Sequence, residues 1–377
     1  MTDEAVDAAD LTPVVRRLLD DPGAEVTGVH RTGLGWLNLM DAELHRISGS
    51  ARTSDGRSVS WSLVAKTFSP PASDSTASHA SAWDFWKREI NAYTSGALDE
   101  LPGELSAPRC AGVIQRPDGA VWLCLEEIAD TDRGPWSHER FEEVARRVGA
   151  FNGAYLTSRP IPDAEGLAAG GLRSWVELLA DSREGRDPRI TRGPLAVAAT
   201  PNPEALTALL ADRGRLLAAL DGLPQTFVHR DVTPVNVLVR RGQADGEPFV
   251  VLDWALAGLG ALGEDAAGIV GATLWQLLID PTEALALEER VLRGYLAGLR
   301  DAGWHGDEAE VRFGYATTLA LRFAPLTAWW ADLVDQPDKA DWFERKFGLP
   351  PDRLAEAWGT LQEFTLSRGN EVRRLAH

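Results

Sequence analysis

The stretch Phe227-Val-His-Arg-Asp-Val-Thr-Pro-Val-Asn-Val-Leu-Val239 constrains this chain more than any other. Apolar, strand-like residues bracket a polar loop in which Asn236 follows Asp231 by five positions. Asp253 closes a second apolar strand, Phe249-Val-Val-Leu-Asp253, seventeen residues beyond Asn236. Two such strands pair as a hairpin through the turn Arg241-Gly-Gln-Ala-Asp-Gly246, which brings Asp231, Asn236 and Asp253 to one mouth. Phosphoryl transfer needs this set. One carboxylate orients a hydroxyl and accepts its proton, while an amide oxygen and a second carboxylate hold Mg²⁺ against nucleotide phosphates.

The rest of the composition narrows the setting. At 377 residues and 44% apolar, the chain can bury a sizeable core as one large or two modest domains. Its 38 Lys+Arg against 56 Asp+Glu leave a net charge of −18. That balance argues against a nucleic-acid binder, which needs clustered cations; it favours solubility and would steer a cationic partner. No apolar run approaches the ~20 residues of a membrane span, and the acidic start Met1-Thr-Asp-Glu-Ala-Val-Asp7 fits neither a signal nor a transit peptide. Cys110 and Cys124, the two cysteines, supply neither a disulfide framework nor a four-ligand metal site. They are expected to be reduced thiols facing each other across a hairpin that turns at Arg116-Pro-Asp-Gly119. The expected location is the cytoplasm.

Periodicity orders the chain. A short helix is expected over 11–20, with Thr12 as cap and Pro13 at its first position. Strands follow at Val26–Thr32, Leu39–Gly49 and Val59–Phe68, then a polar low-complexity loop over 69–78. Trp83, Trp86, Ile90 and Tyr93 have helical spacing and predict a helix over 82–95. Val121-Trp-Leu-Cys-Leu125 is apolar throughout and reads as a central strand. Beyond Glu126 the pattern turns helical: 137–156 with Ser137 as N-cap, a loop over 185–203, a helix over 204–220, the β-rich insertion over 227–253, then helices at 285–300, 308–334 and 352–368. The expected fold is α+β, with a small antiparallel sheet and one helix in residues 1–128 and a larger, mainly helical part in 129–377.

The pattern His-x-Asp-x-x-x-x-Asn, followed by an apolar strand ending in Asp253-Trp254, resembles the catalytic and metal loops of the protein-kinase-like superfamily. With Asp-Trp in place of Asp-Phe-Gly and an all-helical tail, it is similar to the aminoglycoside phosphotransferase and choline kinase-like family. Gly260-Ala-Leu-Gly-Glu-Asp265 stands where that family carries a turn and a second Asp. The resemblance implies a bilobal kinase fold, over about residues 25 to 335, that uses ATP or GTP with Mg²⁺. It makes Asp231 the base and Asn236 and Asp253 the metal ligands. Lys66 on its strand becomes the phosphate-binding lysine, with Glu89 as its ion-pair partner. Gly33 and Gly35, in Arg31-Thr-Gly-Leu-Gly-Trp-Leu-Asn38, mark a phosphate-covering loop with Trp36 at its tip. The backbones of Glu126 and Ile128 contact the adenine, with Leu125 behind them, and no role is assigned to the side chains of Glu126 and Glu127. His229 and Asp265 support the catalytic loop by hydrogen bonds to its backbone. Arg230 and Thr233 are mixed signals, since Arg230 is more typical of protein kinases.

Other enzyme classes lack their marks. The seven histidines are scattered with no His-Glu-x-x-His, and Gly-x-Ser-x-Gly, Gly-x-Gly-x-x-Gly after the first strand and Gly-Lys-Ser/Thr are all missing. The expected acceptor is the hydroxyl of a small molecule. Trp329-Trp330 with Asp332, together with Glu264, would suit a cationic amino-sugar, aminoglycoside or choline-like alcohol. A neutral sugar, macrolide or nucleoside would use the same machinery, as would a Ser/Thr hydroxyl of a peptide or protein. An inactive kinase-fold scaffold is the non-enzyme alternative, against which Lys66, Glu89, Asp231, Asn236 and Asp253 are all intact.

Overall fold

The computed structural model describes residues 7–34, 43–72, 75–129, 134–167, 170–181, 193–240, 249–334, 336 and 339–375. The first helix, α1 (Ala8–Leu18), starts earlier than its proline suggests, because Asp7 rather than Thr12 accepts the first free backbone N–H. Three long strands follow, β1 (Glu25–Gly33), β2 (Glu43–Arg52) and β3 (Ser58–Phe68). Then come α2 (Arg88–Thr94), β4 (Leu105–Ser106), β5 (Cys110–Gln115) and β6 (Val121–Glu126). The main sheet is antiparallel with strand order β1-β2-β3-β6-β5.

Strand alternation sorts this sheet into two faces. Trp61, Leu63 and Ala65 of β3, with Trp122 and Cys124 of β6, pack on Leu11, Val14 and Val15 of α1. Phe68, Val121, Leu123 and Leu125 belong to the large core on the other side. Both faces of β6 are therefore covered, which is why its sequence is continuously apolar. The same alternation turns Lys66 away from α1. Cys110 and Cys124 lie on the β5–β6 hairpin, offset by one pair, and both are free thiols. Burial pushes the Cys124 thiol up to about 12.

The helix expected over 82–95 begins only at Arg88. The Arg88 guanidinium is buried and gathers the carbonyls of Ala82 and Trp83 (both 2.5 Å), Gly166 (3.0 Å) and Ala255 (3.2 Å). These bonds hold residues 80–85 as turns around this one cation rather than as an α-helix. Trp83 and Trp86 thus lie outside the helix their spacing suggested.

The helical part consists of α3 (His138–Thr157), α4 (Leu172–Asp181), α5 (Pro194–Ala199), α6 (Pro203–Ala211), α7 (Arg213–Asp221), α8 (Glu264–Trp275), α9 (Ala284–Asp301), α10 (Glu308–Val334), α11 (Ala340–Phe347) and α12 (Pro351–Leu375). Ser137 caps α3 as expected, accepting from the Arg140 N–H at 3.3 Å. Two expectations change. Part of the loop over 185–203 is α5, with Pro194 at its first turn, and the helix over 204–220 breaks at Asp212, whose carboxylate accepts from Arg373 of α12 at 2.5 Å. None of the helices among the described residues is long and apolar enough to cross a membrane.

Short strands carry the polar loops between these helices. They are β7 (Gln225–Val228), β8 (Val237–Leu238), β9 (Phe249–Val251) and β10 (Gly258–Ala261). The expected pairing holds between β8 and β9, with Val237 opposite Val251. The turn at 241–246 lies outside the described residues. β7 pairs instead with β10, and β9 also takes β4 as a parallel neighbour.

The helices α3 and α9 approach each other closely. A Cβ on Gly298 would overlap the Arg146 carbonyl, and one on Gly294 the Glu142 carbonyl. Backbone cannot yield as a side-chain tip can, so Gly298→Ala should cost roughly 3 kcal/mol. Urea denaturation checks this, and an unchanged midpoint would show that the two helices separate freely.

Candidate active site

Lys66 is the buried cation on the inner face of β3. Its Nζ donates to Glu89 Oε2 at 2.5 Å and to Asp253 Oδ1 at 2.7 Å. Burial alone would lower the Lys66 pKa, but Asp253 and Glu89 outweigh it and raise the ammonium above the ordinary lysine range. Burial would also raise Asp253, yet Lys66 beside it holds the carboxyl below its usual value. Asp253 adopts a left-handed conformation (φ 59°), and about 29% of its side chain is exposed. The structure thus brings together three residues drawn from a strand, a helix and a loop 187 positions away.

The loop between β7 and β8 hangs from Asp265, near the start of α8. The Asp265 carboxylate accepts the backbone N–H groups of His229 (3.0 Å) and Arg230 (2.6 Å) and the amide of Asn152 (2.9 Å). Asn152 also donates to the Phe227 carbonyl at 2.8 Å and accepts from Tyr295 at 2.7 Å. His229 Nδ1 accepts the Asp231 N–H at 3.1 Å, so Nε2 carries the proton and donates to the Leu252 carbonyl at 2.9 Å. Burial pushes its pKa down, which keeps this neutral tautomer.

Arg230 has φ 72° and is buried. Its guanidinium pairs with Glu264 at 2.9 Å and donates to the carbonyls of Leu256 (2.8 Å) and Leu259. It braces the loop from behind. Thr233 is fully buried.

Asp231 then projects from a rigid loop. Asn236 Nδ2 donates to both the Asp231 carbonyl and Oδ2, each at 2.9 Å, which orients the carboxylate and leaves the Asn236 amide oxygen for another partner. Burial raises the Asp231 carboxyl above the usual aspartate range, and the charge of Arg322 opposes that rise. Arg322, on α10, donates to the Arg230 carbonyl at 2.5 Å.

The remaining expected residues are more scattered. Gly33 ends β1 opposite His45, exposed, with neither a positive φ nor a close neighbour that demands glycine. Gly35 and Trp36 lie outside the described residues. The Glu126 N–H is already committed to the Arg109 carbonyl (2.9 Å), so only its carbonyl is available to a ligand; Ile128 is half-buried beyond β6. The side chains of Glu126 and Glu127 do have work. Glu126 accepts from Arg240 at 2.5 Å, tying β6 to the segment after β8, and Glu127 pairs with Arg46.

Asp231, Asn236 and Asp253 share one cavity of about 410 Å³, walled by Trp83, Trp175, Trp275 and Phe347. None of the residues expected to form an acidic aromatic surface for a cationic acceptor, Trp329, Trp330, Asp332 and Glu264, lines this cavity, and of them Trp329 is exposed. Glu264 is buried against Arg230, and Trp330 is buried with its ring stacked on Trp342 at 5.6 Å. The cavity is lined instead by Arg322, Arg345 and Lys346. Sequence reasoning missed all three, together with Arg88 and Asn152. Arg345-Lys346 is a visible basic pair, but nothing local ties it to Asp231.

A family model described as the phosphotransferase enzyme family matches residues 118–309. Among solved structures, a microcompartment-associated aminopropanol kinase matches at 15% identity over 94% of this chain and 98% of its own, with a TM-score of 0.52. A spectinomycin phosphotransferase in complex with ADP and spectinomycin matches at 15% identity over 95% of this chain and all of its own, with a TM-score of 0.50. A search of curated protein sequences gave no match. These likenesses agree with the α+β kinase-like fold read from the sequence.

Asp265 satisfies three buried donors and Tyr295 supports only the rim of that network. Asp265→Ala should therefore cost roughly 3–5 kcal/mol and Tyr295→Phe about 1 kcal/mol in urea denaturation. Equal losses would remove Asp265 as the anchor of the loop.

Proposed function

The chain belongs to the phosphotransferase enzyme family, and on that premise we propose that it moves the γ-phosphoryl group of ATP or GTP to an alcohol hydroxyl of a small molecule. The observation that carries this reading is the oriented Asp231 carboxylate, set in the same cavity as Asp253, which Lys66 holds. Asp231 accepts the hydroxyl proton. The acceptor oxygen then bonds the γ-phosphorus as the bond to the bridging oxygen breaks, and the nucleoside diphosphate leaves. Lys66, fixed by Glu89, holds the nucleotide phosphates, and residues 1–128 cover the nucleotide over the loops and acceptor site of 129–377. The Glu126 carbonyl and the Ile128 backbone hold the base, and Gly33 and Gly35 flank the phosphate cover. The reading places the reaction in the cytoplasm, which holds the nucleotide pool.

The donor set suits Mg²⁺. Asn236 offers an amide oxygen freed by the way its nitrogen is used, and Asp253 offers a carboxylate kept ionised by Lys66. Among the described residues no group of three or more His, Cys, Asp or Glu side chains could hold a metal ion. When bound, Mg²⁺ neutralises phosphate charge; the protein's own share is positioning and electrostatics.

Asp231→Asn should lower turnover at least ~100-fold while nucleotide-dependent thermal stabilisation survives. Asp253→Ala should abolish the stabilisation that MgATP or MgGTP gives the wild type. Near wild-type turnover in the first, or full stabilisation in the second, would overturn the assignments.

The pH profile offers a separate check. The base must be ionised, and burial raises Asp231, so kcat/KM should fall toward acid with an apparent pKa above the ~3.9 of ordinary aspartate. Arg322 opposes that rise, so Arg322→Gln should move the acid limb to higher pH. A stationary limb would remove Arg322 from this role.

A further inference from the structure

The acceptor end of the cavity has an unusual charge. The chain has 18 more acidic than basic residues and four lysines, yet three cations line this one space. Arg322 is nine-tenths buried. Its Nη1 is committed to the Arg230 carbonyl, its remaining nitrogens make no hydrogen bond among the described residues, and its charge faces Asp231. Arg345 and Lys346 sit in the last turn of α11 and form no ion pair among the described residues. Lys346 is half-buried and touches only rings, those of Trp342 at 5.4 Å and Phe347 at 5.7 Å. Burial lowers its ammonium pKa, and among the described residues no carboxylate reverses that. The two acids in the lining, Asp231 and Asp253, are the base and the Lys66 partner.

A half-buried ammonium and an exposed guanidinium with no carboxylate partner among the described residues, set beside a buried guanidinium whose charge already faces Asp231, are costly unless a ligand supplies the counter-charge. We propose that the acceptor carries an anionic group, a carboxylate or a phosphate, seated on Arg322, Arg345 and Lys346 while its hydroxyl reaches Asp231. This rests on the phosphotransferase reading above and names the substrate class of the same site. The aromatic walls suit a flat apolar body between the two ends, and about 410 Å³ suits a small molecule. The proposed acceptor thus carries the opposite charge to the cationic one among those suggested by the sequence.

The test uses the full chain and four benzylic alcohols of one shape: 4-(hydroxymethyl)benzoate, 4-(hydroxymethyl)phenyl phosphate, 4-(hydroxymethyl)benzamide and 4-(hydroxymethyl)benzylamine. Binding is measured by calorimetry with Mg²⁺ and a non-hydrolysable ATP analogue present, and again without them. The anions should bind at least tenfold more tightly than the amide, with the amine weakest, and their advantage should shrink as salt rises. The better of the two anions tells carboxylate from phosphate. Arg345→Gln/Lys346→Gln should level the ranking, and Arg345→Glu/Lys346→Glu should invert it in favour of the amine. The proposal falls if the amine matches the anions in the wild type, if the ranking survives charge reversal, or if no probe binds while the nucleotide does. If the anions rank as expected but the nucleotide never binds, the anion site stands and the phosphotransferase reading fails.

Discussion

The ion triad of Lys66, Glu89 and Asp253 is the interaction on which the rest of the site depends. It ties β3, α2 and the loop after β9 through one ammonium. A buried ion pair is weak evidence for stability, because desolvation offsets most of its attraction. Its value here is positional. Removing any one charge would strand the others in a poorly solvated place, so the three elements must meet in one arrangement. Glu89 can point at Lys66 only because its neighbour Arg88 fixes the start of α2 by collecting the carbonyls that precede it. Two consecutive residues on one short helix thus serve the cavity and the core behind it.

The same logic holds the loop that carries Asp231. Two residues in it or beside it, Arg230 and Asp253, have left-handed backbones, which non-glycine residues adopt at a cost. The cost is sustained by surrounding bonds. Asp265 grips two successive N–H groups, Arg322 holds the Arg230 carbonyl, and Glu264 holds the Arg230 guanidinium. Gly268 lets α8 approach that carbonyl closely, since a Cβ there would lie 2.6 Å from it. The geometry of the Asp231 loop is over-determined from behind, and its face toward the cavity stays open.

Much of this was legible where chemistry and short-range pattern coincide. Asp231, Asn236 and Asp253 were found because the loop and its flanking strands are contiguous and their spacing is read directly. The sheet emerged from alternation, and α3, α9, α10 and α12 from period. The misses share a cause. The helix over 82–95 failed because a buried arginine diverted its carbonyls, and the helix over 204–220 broke where Asp212 meets a helix 161 residues away. Arg322, Asn152 and Arg88 act through tertiary hydrogen bonds that leave no local signature. Glu264 looked like a free acid near the metal strand because its partner, Arg230, was read only as a family signal.

Charge balance gives the cavity its sense. A phosphoryl transfer brings a polyanionic nucleotide to a site that must also hold two carboxylates. On the proposed reading, Lys66 and Mg²⁺ would offset the nucleotide and Asp253, and Arg322 tempers Asp231. If the acceptor were a cation, Arg345 and Lys346 would repel it at the distance where the hydroxyl must settle, and the net negative surface would draw it elsewhere. If the acceptor is an anion, the surface repels it weakly through screened water, while the cavity attracts it in a drier space where charges act more strongly. A protein of net charge −18 that places Arg345 and Lys346 at one pocket, with no ion pair among the described residues, would on that proposal favour the few anions that fit the pocket over those that merely approach the surface.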